Sequence, residues 1–238
     1  PMVSLIITND TENMSSYLRQ LLEKTAYTNY EILLPARFEN QINIQNDRLR
    51  YVSTETRHGM IQAAKGEYVA LLNAGLVPTK NDWLKELMNI GQQETSGLVT
   101  GRVVDARYRV ETVGVSVDTD KGRLLYPEKG TPGKSLGYYY RIALPRNIQA
   151  ATEDCLLFNK QLYLNLEGIN ESLGKEWMGV DLSLQFASAG KRNVYVSYAI
   201  LKADEKMQNH DKKGSYKELA EKWTAEALVD PYRNPKHL

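Results

Sequence analysis

A short polar loop, Asn73-Ala74-Gly75-Leu76-Val77-Pro78, is the first place in the chain where residue types and position together suggest chemistry. It follows the apolar run Tyr68 to Leu72, which is too short and too continuous for an amphipathic helix and is typical of a strand covered on both faces. Open α/β sheets bind their ligands beyond the carboxyl ends of such strands. Because Asn73 offers one neutral oxygen and Gly75 has no side chain, the loop predicts a ligand site without a carboxylate of its own.

A second candidate is Asp118-Thr119-Asp120, whose two carboxylates have the Asp-x-Asp spacing of a divalent-metal motif. The surrounding segment, Val117 to Tyr126, has the pattern of a β-hairpin with Asp120-Lys121-Gly122 at its turn. A site for a metal and a diphosphate needs a strand that runs into a loop, and a hairpin does not provide it. We therefore interpret these acids as solvated turn residues.

The elements that position the polar loop alternate between strand and helix. The apolar run Val3 to Ile7 leads through polar Thr8-Asn9-Asp10 into a helix that starts near Met14. Two further strands, Glu31 to Leu34 and Leu49 to Val52, precede a helix over residues 56–65 that returns the chain to the central strand. This repeated alternation predicts right-handed crossovers and a mainly parallel sheet.

A helix is expected directly after the polar loop, with Thr79 or Asn81 as its N-cap and Asp82 near the positive end of its dipole. Its buried face is predicted to consist of Trp83, Leu84, Leu87 and Met88. The central strand, the loop and this helix therefore form one continuous unit. No Gly-x-Gly-x-x-Gly follows the first strand, which excludes a Rossmann-type dinucleotide enzyme.

The composition indicates one domain over residues 1–238. This length can bury a sizeable core, and no Pro/Gly/Ser-rich linker divides the chain. The 30 Lys and Arg residues nearly balance the 29 Asp and Glu residues, and no basic stripe with interleaved aromatics is present. Nucleic acid is therefore not expected as a partner.

Cysteine content and hydropathy bear on the compartment. The single Cys155 excludes an internal disulfide and, beside the apolar Leu156-Leu157-Phe158, is expected to be a buried free thiol. No apolar run reaches the roughly 18 to 20 residues of a membrane-spanning helix, and no signal-peptide pattern is found. We expect a cytoplasmic protein that reaches the inner membrane face only through partners. The chain is also compatible with one module of a longer protein.

The polar loop resembles the middle of a family 2 glycosyltransferase domain of the GT-A type. In that family an Asp-x-Asp or Asn-x-Asp element holds the divalent metal that bridges the two phosphates of a nucleotide-sugar. Asn73 and Gly75 stand at the matching positions, so the resemblance retains the loop but lacks its carboxylates. The implied fold is a GT-A (Rossmann-like) three-layer sandwich around a central mixed, mainly parallel sheet.

The resemblance extends through the first half of the chain. VSLIITND matches the opening strand, and TRHGMIQAAKGEY matches the segment that usually reads Arg-Asn-x-Gly before Ala-x-Gly-Glu-Tyr, with Arg57 at the arginine. Ala36 and Arg37 stand where the family usually has acids that contact the nucleotide base. The resemblance thus implies that a second set of carboxylates is missing, while Arg37 and Arg57 remain as cations for a diphosphate.

In the second half, the family's Glu-Asp pair heads a helix and supplies the general base that deprotonates the acceptor hydroxyl. Here this pair reads Met178-Gly179, and only Asp181 remains as a candidate catalytic acid, with a structural or helix-capping role as the alternative. The framework that carries this part of the resemblance consists of Thr152, Cys155, Gly168, Asn170, Glu171, Asp181, Leu182, Ala189 and Gly190.

The last part of the chain, with NHDKKGSYKELAEKW and DPYRNP, resembles the family's closing segment. His210 aligns with a histidine that completes the metal site in some relatives, and a neutral imidazole is a suitable ligand. The alternative is a surface histidine in a Lys-rich loop. The aromatic group Tyr138-Tyr139-Tyr140 could stack on a sugar or a base, or could be partly buried surface or an interface.

The resemblance as a whole implies a donor site and an acceptor side. On the acceptor side it places Glu153, Asp154 and Trp177. Manganese or magnesium is expected only if the domain is active, and no other cofactor is implied. The donor-binding residues are predicted to be Thr8, Asn9, Arg37, Arg57, Asn73, Ala74 and Gly75.

Two functions remain open from the sequence. One is a catalytically impaired or non-catalytic domain of glycan or cell-surface polysaccharide assembly, which binds an acceptor or pairs with a partner glycosyltransferase domain. The other is an active, inverting glycosyltransferase that uses a nucleotide-sugar, a glycan acceptor and an atypical donor site. The missing carboxylates favour the first, because a diphosphate leaving group needs its developing charge neutralised.

Overall fold

The computed structural model describes residues 1–203 and 216–233, which build a three-layer α/β sandwich around one large sheet. The helices of these residues are α1 (Met14–Glu23), α2 (Arg57–Ala63), α3 (Trp83–Gly91), α4 (Lys160–Leu164), α5 (Lys175–Ser188), α6 (Tyr216–Lys222) and α7 (Ala225–Leu228). None of them is long and apolar enough to cross a lipid bilayer.

The strands belong to one 10-stranded sheet and one small hairpin. The large sheet has the order β10-β12-β6-β11-β4-β1-β2-β3, with β5 paired to β12 and β7 paired to β6, and β8 and β9 form the hairpin. The strands are β1 (Val3–Thr8), β2 (Tyr30–Pro35), β3 (Leu49–Val52), β4 (Tyr68–Asn73), β5 (Leu76–Pro78), β6 (Ser96–Val104), β7 (Val110–Thr112), β8 (Ser116–Asp118), β9 (Arg123–Leu125), β10 (Arg146–Ile148), β11 (Cys155–Asn159) and β12 (Arg192–Ala203).

The sheet is mixed and mainly parallel, as the sequence predicts. Strands β3, β2, β1 and β4 are parallel neighbours, and β6 and β12 are parallel to each other. Only β11 separates these two groups, and it runs antiparallel to both β4 and β6. Because β11 is reversed, its first residues lie at the edge of the sheet where β1 and β4 end, which brings the segment before Cys155 beside Asn73.

The two faces of the sheet carry separate apolar layers because successive side chains of a strand point to opposite faces. On β1, Leu5 packs with the buried faces of α1 and α3, whereas Ile6 packs with α2, α4 and α5. Trp83 of α3 is fully buried in the first layer, and Phe186 of α5 is fully buried in the second. A smaller apolar cluster joins the outer side of α5 to the β8–β9 hairpin, α6 and α7.

Two local expectations are wrong. The N-cap of α3 is Asp82, because the amide and the hydroxyl of Thr79 both donate to the carbonyl oxygen of Ile200 and so belong to the sheet. The segment after Gly75 is also more regular than a polar loop, since Leu76–Pro78 forms β5 against β12. The hairpin over residues 117–126 is confirmed, with its strands at Ser116–Asp118 and Arg123–Leu125.

Asp118 and Asp120 differ in their surroundings within that hairpin. Asp120 is exposed, as expected of a turn residue. Asp118 is buried, not solvated: its carboxylate accepts hydrogen bonds from the Arg123 guanidinium and from the Lys121 amide, both at 3.3 Å. These bonds close the hairpin, and the Asp-x-Asp spacing therefore serves its turn.

Candidate functional site at the carboxyl edge of the sheet

Four side chains form a hydrogen-bonded chain across the carboxyl ends of β1 and β4 and the start of β11. The Asn9 amide donates to Oδ1 of Asn73 at 2.9 Å, and Nδ2 of Asn73 donates to Oδ1 of Asp154 at 3.2 Å. The other oxygen of Asp154 accepts from the Thr152 hydroxyl at 2.7 Å. The side-chain amide of Asn73 is thus engaged at both ends.

The backbone around Asn73 holds this arrangement in place. The Ala74 amide donates to the Thr8 carbonyl oxygen at 2.9 Å, and Ala74 itself is buried. Gly75 has a φ of +91°, a conformation that side-chain-bearing residues rarely adopt, and a Cβ built there would have no neighbour within 4 Å. The predicted loop residues therefore do lie together at the sheet edge, but Ala74 and Gly75 present backbone only.

A small cleft of about 190 Å³, here called the edge cleft, lies beside Asn9. Two arginines, Arg37 and Arg57, line it. Thr8 contributes a buried hydroxyl that has no hydrogen-bond partner within the described residues. Sequence reasoning predicted that these side chains meet. The full lining is Ile7, Thr8, Asn9, Pro35, Arg37, Glu55, Arg57 and Met60.

Arg37 is not available as a free cation for a phosphate. Its guanidinium contacts Asp10 at 2.9 Å and Glu55 at 2.6 Å. The hydrogen bond with Glu55 raises the pKa of Arg37, although partial burial opposes it. The residue lies in a short 3-10 turn, Ala36–Phe38, directly after β2. An anion in the edge cleft would therefore compete with two carboxylates for this guanidinium.

Arg57 is paired as well, in this case with Glu153. Burial raises the pKa of the Glu153 carboxyl, and the hydrogen bond from Arg57 opposes that shift. One oxygen of Glu153 accepts from Arg57, and the other is buried without a hydrogen-bond partner among the described residues. Glu153 is thus a carboxyl group with unusual surroundings, 5% exposed, at the same sheet edge as Asn73.

The acceptor side is more closely packed than the resemblance implies. Trp177 is 6% exposed and packs against the ring of Tyr216 at 6.2 Å between centroids, so its face is not open to a ligand. At residue 179, where the resemblance implies a general-base acid, a Cβ would lie 2.4 Å from the carbonyl oxygen of Ala151 and 2.9 Å from the Glu153 amide nitrogen. Helix α5 can pack here only because residue 179 has no side chain.

Asp181, the candidate catalytic acid of the sequence, has the structural role that was the alternative, and it is not a helix cap. It lies in the interior of α5 and is fully buried. Its carboxylate accepts from Nε1 of Trp223 at 2.7 Å, from Nζ of Lys222 at 2.9 Å and from the Gln185 amide at 2.8 Å. These bonds attach α6 to α5 and leave Asp181 no access to an acceptor.

The sequence analysis did not predict that Tyr126 and Glu176 lie near each other and near Asp154. Burial raises the pKa of the Tyr126 hydroxyl, and the nearby carboxylates of Glu176 and Asp154 raise it further. Glu176 lies in the first turn of α5, and Tyr126 follows β9. No spacing pattern links residues 126, 154 and 176. The usable signal was the acidic residue in the first turn of the helix.

The residues at the family's metal positions do not fit a divalent cation. A hard cation that gives up water needs anionic oxygens, whereas the oxygen of Asn73 is neutral and already accepts from Asn9. Within residues 1–203 and 216–233, no group of three His, Cys, Asp or Glu side chains is placed to hold a metal. His210, the predicted metal ligand, lies outside the described residues.

Comparisons with known proteins agree with this architecture. No protein-family model matches the chain. Over 99% of its length it is 25% identical to the uncharacterized protein y4gI of Sinorhizobium fredii (strain NBRC 101917 / NGR234), of which it spans 29%. The chain thus corresponds to under a third of that relative.

Two solved structures share the fold. The mannosyltransferase PcManGT of Pyrobaculum calidifontis, solved with GDP-Man and Mn²⁺, superposes with a TM-score of 0.59 over 88% of this chain and 59% of its own. GalNAc-T7, solved with UDP, GalNAc and Mn²⁺, superposes with a TM-score of 0.69 over 95% of this chain and 48% of its own. Both are 14% identical in sequence. The chain therefore has the fold of GT-A glycosyltransferases.

Proposed function

We propose that this GT-A domain belongs to glycan or cell-surface polysaccharide assembly without carrying out metal-assisted sugar transfer itself. Its role is to bind an acceptor glycan or to pair with a glycosyltransferase domain that is active. The fold supports the link to nucleotide-sugar chemistry, since PcManGT and GalNAc-T7 were solved with nucleotides or nucleotide-sugars. Fold alone does not determine activity, so the proposal rests on the site.

The observation that carries the proposal is the contact of Gly179 with the backbone of Ala151. By the resemblance, residue 179 stands where an inverting enzyme has the acid of its general-base pair. A side chain there would need α5 to move away from residues 151–153, because the contacting atoms are backbone atoms that cannot rotate aside. Its neighbour Met178 is apolar and 4% exposed. The helix thus favours close packing over a catalytic carboxylate.

The donor side supports the same conclusion. Metal-ion assistance to a diphosphate leaving group is worth several kcal/mol, and the two matching positions supply no anionic oxygen for such an ion. The cations that could replace it, Arg37 and Arg57, are each paired with carboxylates of the chain. Any nucleotide bound at the edge cleft would have to displace those partners.

Titration calorimetry with uridine or thymidine diphosphate, with and without manganese, tests the proposal. We expect weak binding and a change of less than tenfold when manganese is added. A metal-dependent gain of tenfold, about 1.4 kcal/mol, would contradict it. A parallel assay for nucleotide release from UDP-sugars and GDP-mannose should give no turnover above the protein-free rate.

A second candidate function, an active transferase with an atypical donor site, is favoured by Glu153. Its carboxyl is buried, has one unpartnered oxygen within the described residues, and has a pKa raised by that burial. A buried carboxyl with a raised pKa is suited to act as a general base. If nucleotide release is detected, its loss in Glu153→Gln together with its retention in Glu171→Gln, an exposed acid, would favour this function.

A further inference from the structure

A cavity of about 400 Å³ lies apart from the edge cleft and shares no lining residue with it. It is bounded by the β8–β9 hairpin, by the segment 126–146 and by the C-terminal segment 230–233, and we call it the hairpin cavity. Its volume is within the range of sites for small molecules. The Asp-Pro-Tyr-Arg part of the closing motif contributes three of its lining residues, and the edge site gives that motif no role.

Three arginines line the hairpin cavity: Arg141, Arg146 and Arg233. Within the part of the chain that the structure describes, the Arg146 guanidinium donates only to backbone carbonyl oxygens, and the shortest of these bonds, 2.8 Å, is to Val113. Burial lowers the pKa of Arg146, and repulsion from Arg141 lowers it further. Among the described residues, no carboxylate oxygen lies within 4.0 Å of a charged nitrogen of either Arg141 or Arg146. Within the described residues, neither cation therefore forms an ion pair.

Two acids, Asp230 and Glu128, also line the hairpin cavity and accept hydrogen bonds from its wall. Asp230 accepts hydrogen bonds from the Ser116 hydroxyl and, at 2.8 Å, from the Tyr232 amide. Glu128 accepts from the Tyr138 amide at 3.0 Å. Three arginines against two carboxylates leave the lining with a formal net positive charge. Guanidinium groups bind carboxylates and phosphates well because their donors form a fork that matches these anions.

Aromatic rings complete the lining. Tyr138 and Tyr232 are 42% and 44% exposed, and Tyr126 is the third tyrosine in the lining. The Arg141 guanidinium lies 5.5 Å from the centroid of the Tyr138 ring, which holds the cation at the mouth of the cavity. An aromatic face next to an arginine offers contact to the C–H face of a sugar ring and charge to its acidic group.

We infer that the hairpin cavity binds an acidic sugar, one whose ring carries a carboxylate or a phosphate, with the acidic group on Arg141, Arg146 and Arg233 and the ring against Tyr138 or Tyr232. The positive lining and the exposed rings carry this inference. The positive lining implies an acidic ligand. That this ligand is a sugar rests on the proposed role in glycan assembly.

The test is titration calorimetry of the full 238-residue chain with glucuronate, glucose 6-phosphate, glucose and inorganic phosphate. We expect saturable binding of at least one of the two acidic sugars, at least tenfold tighter than that of glucose or inorganic phosphate. The stronger of the two identifies the acidic group as carboxylate or phosphate. Equal binding of glucose 6-phosphate and inorganic phosphate, with no binding of glucuronate, would overturn the inference, as would the absence of saturation up to about 10 mM for both acidic sugars.

Matched variants connect the binding to this cavity. Arg141→Gln removes a cation and keeps the backbone carbonyl that Arg146 uses, and it should weaken binding of the acidic sugar tenfold or more. Arg107→Gln removes the same charge from an exposed turn that does not line the cavity, and it should leave binding unchanged. An equal loss in both variants would indicate surface charge alone and overturn the inference. Arg233→Gln provides a second test if Arg141→Gln lowers the thermal unfolding temperature.

The outcome is separable from that of the proposed function. Uridine diphosphate addresses the edge cleft, so it should not compete with glucuronate for the hairpin cavity. Loss of acidic-sugar binding in Arg141→Gln would support the inference even if the domain proved to be an active transferase. Conversely, competition between the two ligands that persists in Arg141→Gln, with acidic-sugar binding unchanged, would show that the sugar binds at the sheet edge. That result would overturn the inference while leaving the question of activity to the nucleotide assays.

Discussion

The side-chain amide of Asn9 donates to Oδ1 of Asn73 at 2.9 Å and so joins the ends of two neighbouring parallel strands, β1 and β4. Asn9 has a φ of +65°, which asparagine tolerates better than most residues. Asn9 thus places its side-chain amide on Asn73, the residue at which the GT-A resemblance implies a metal ligand. The polar atoms at this edge are thus used to hold strands together.

Asn73→Asp should lower the free energy of unfolding by about 1–3 kcal/mol at pH 7. The change replaces the donor to Asp154 with a second carboxylate, and like charges raise the pKa of such a pair. A carboxyl whose pKa is raised in the folded state loses its relative stability as pH rises through that pKa, so the deficit should shrink at about pH 4. Urea unfolding at both pH values, with exposed Asn40→Asp as control, measures this.

Gly179→Ala should destabilise the protein by about 1–3 kcal/mol, because the new Cβ meets backbone atoms of residues 151–153. The matched control is Gly91→Ala in α3, where the Cβ would meet Cδ2 of Leu157 at 2.7 Å. That atom ends a side chain that can rotate, and alanine favours the helix by up to about 1 kcal/mol. Equal destabilisation in the two variants would contradict the assigned role of Gly179.

Lys222→Met should destabilise the protein by about 3 kcal/mol, since it leaves the buried carboxylate of Asp181 without its cation. Lys217→Met is the control on the same helix. Lys217 is 4.0 Å from Glu221, and both side chains are mostly exposed, so its loss should change stability by at most about 0.5 kcal/mol. Chemical denaturation of both variants decides the matter, and similar values would show that Asp181 and Lys222 are not coupled.

Glu31 should contribute to acid sensitivity. Burial raises its pKa, but hydrogen bonds from Arg50, the Ser4 hydroxyl and the Lys65 amide outweigh this, and the pKa lies below its usual value. A carboxyl whose pKa is lowered by folding stabilises the protein above its unfolded pKa, near 4.5, and loses that contribution as pH falls through the folded pKa.

Glu31→Gln should therefore be less stable than the wild-type protein at pH 7, by about 1.5–3 kcal/mol, and should lose less further stability on acidification. Thermal unfolding between neutral pH and about pH 3 follows this difference. Exposed Glu23→Gln should follow the wild-type curve. Parallel curves for wild type and Glu31→Gln would mean that the bond to Arg50 does not favour the ionised form.

Cys155 should react with a thiol reagent only after unfolding. The residue is a free thiol with no exposed surface, as predicted, and burial raises its pKa to about 12. At pH 8 almost no reactive thiolate is then present, and the reagent cannot reach it. Labelling rates in buffer and in denaturant give the comparison. Complete labelling within seconds in the native protein would count against the packing around β11.

The first four parallel strands could be predicted from sequence almost to the residue. Each is a short apolar run that ends at a polar or proline residue, as with Leu49–Val52, whose observed and predicted bounds coincide. The N-cap of α3 could not, because Thr79 satisfies local capping preferences but is bound by Ile200, which lies 121 residues away. The short strand β5 was missed for the same reason, since it pairs with β12, far along the chain.

The sequence predicts which residues meet at the sheet edge, but not which charged side chains are paired there. Strand ends specify that Thr8, Asn9 and Asn73 meet, because parallel strands end at one edge. The expectation that Arg57 is a free cation was wrong, because it pairs with Glu153, 96 residues further along the chain. No local sequence pattern predicts that ion pair. Likewise, the sequence shows that residue 179 is a glycine but not why. The reason is the close approach of the Ala151 carbonyl oxygen, which depends on how α5 packs.

Strand β12 sets an order of assembly for the whole molecule. It lies between β6 and β10 and is the last strand of the described chain, so the sheet cannot join β10 until residues 192–203 are made. Strands β1 to β4, β6 and β11 are complete by residue 159 and already adjoin one another. On the ribosome, where domains fold from their N-terminal part, this half of the sheet can form first and leave β6 as an open edge. During that interval the unpaired edge of β6 is the surface that a chaperone would have to cover.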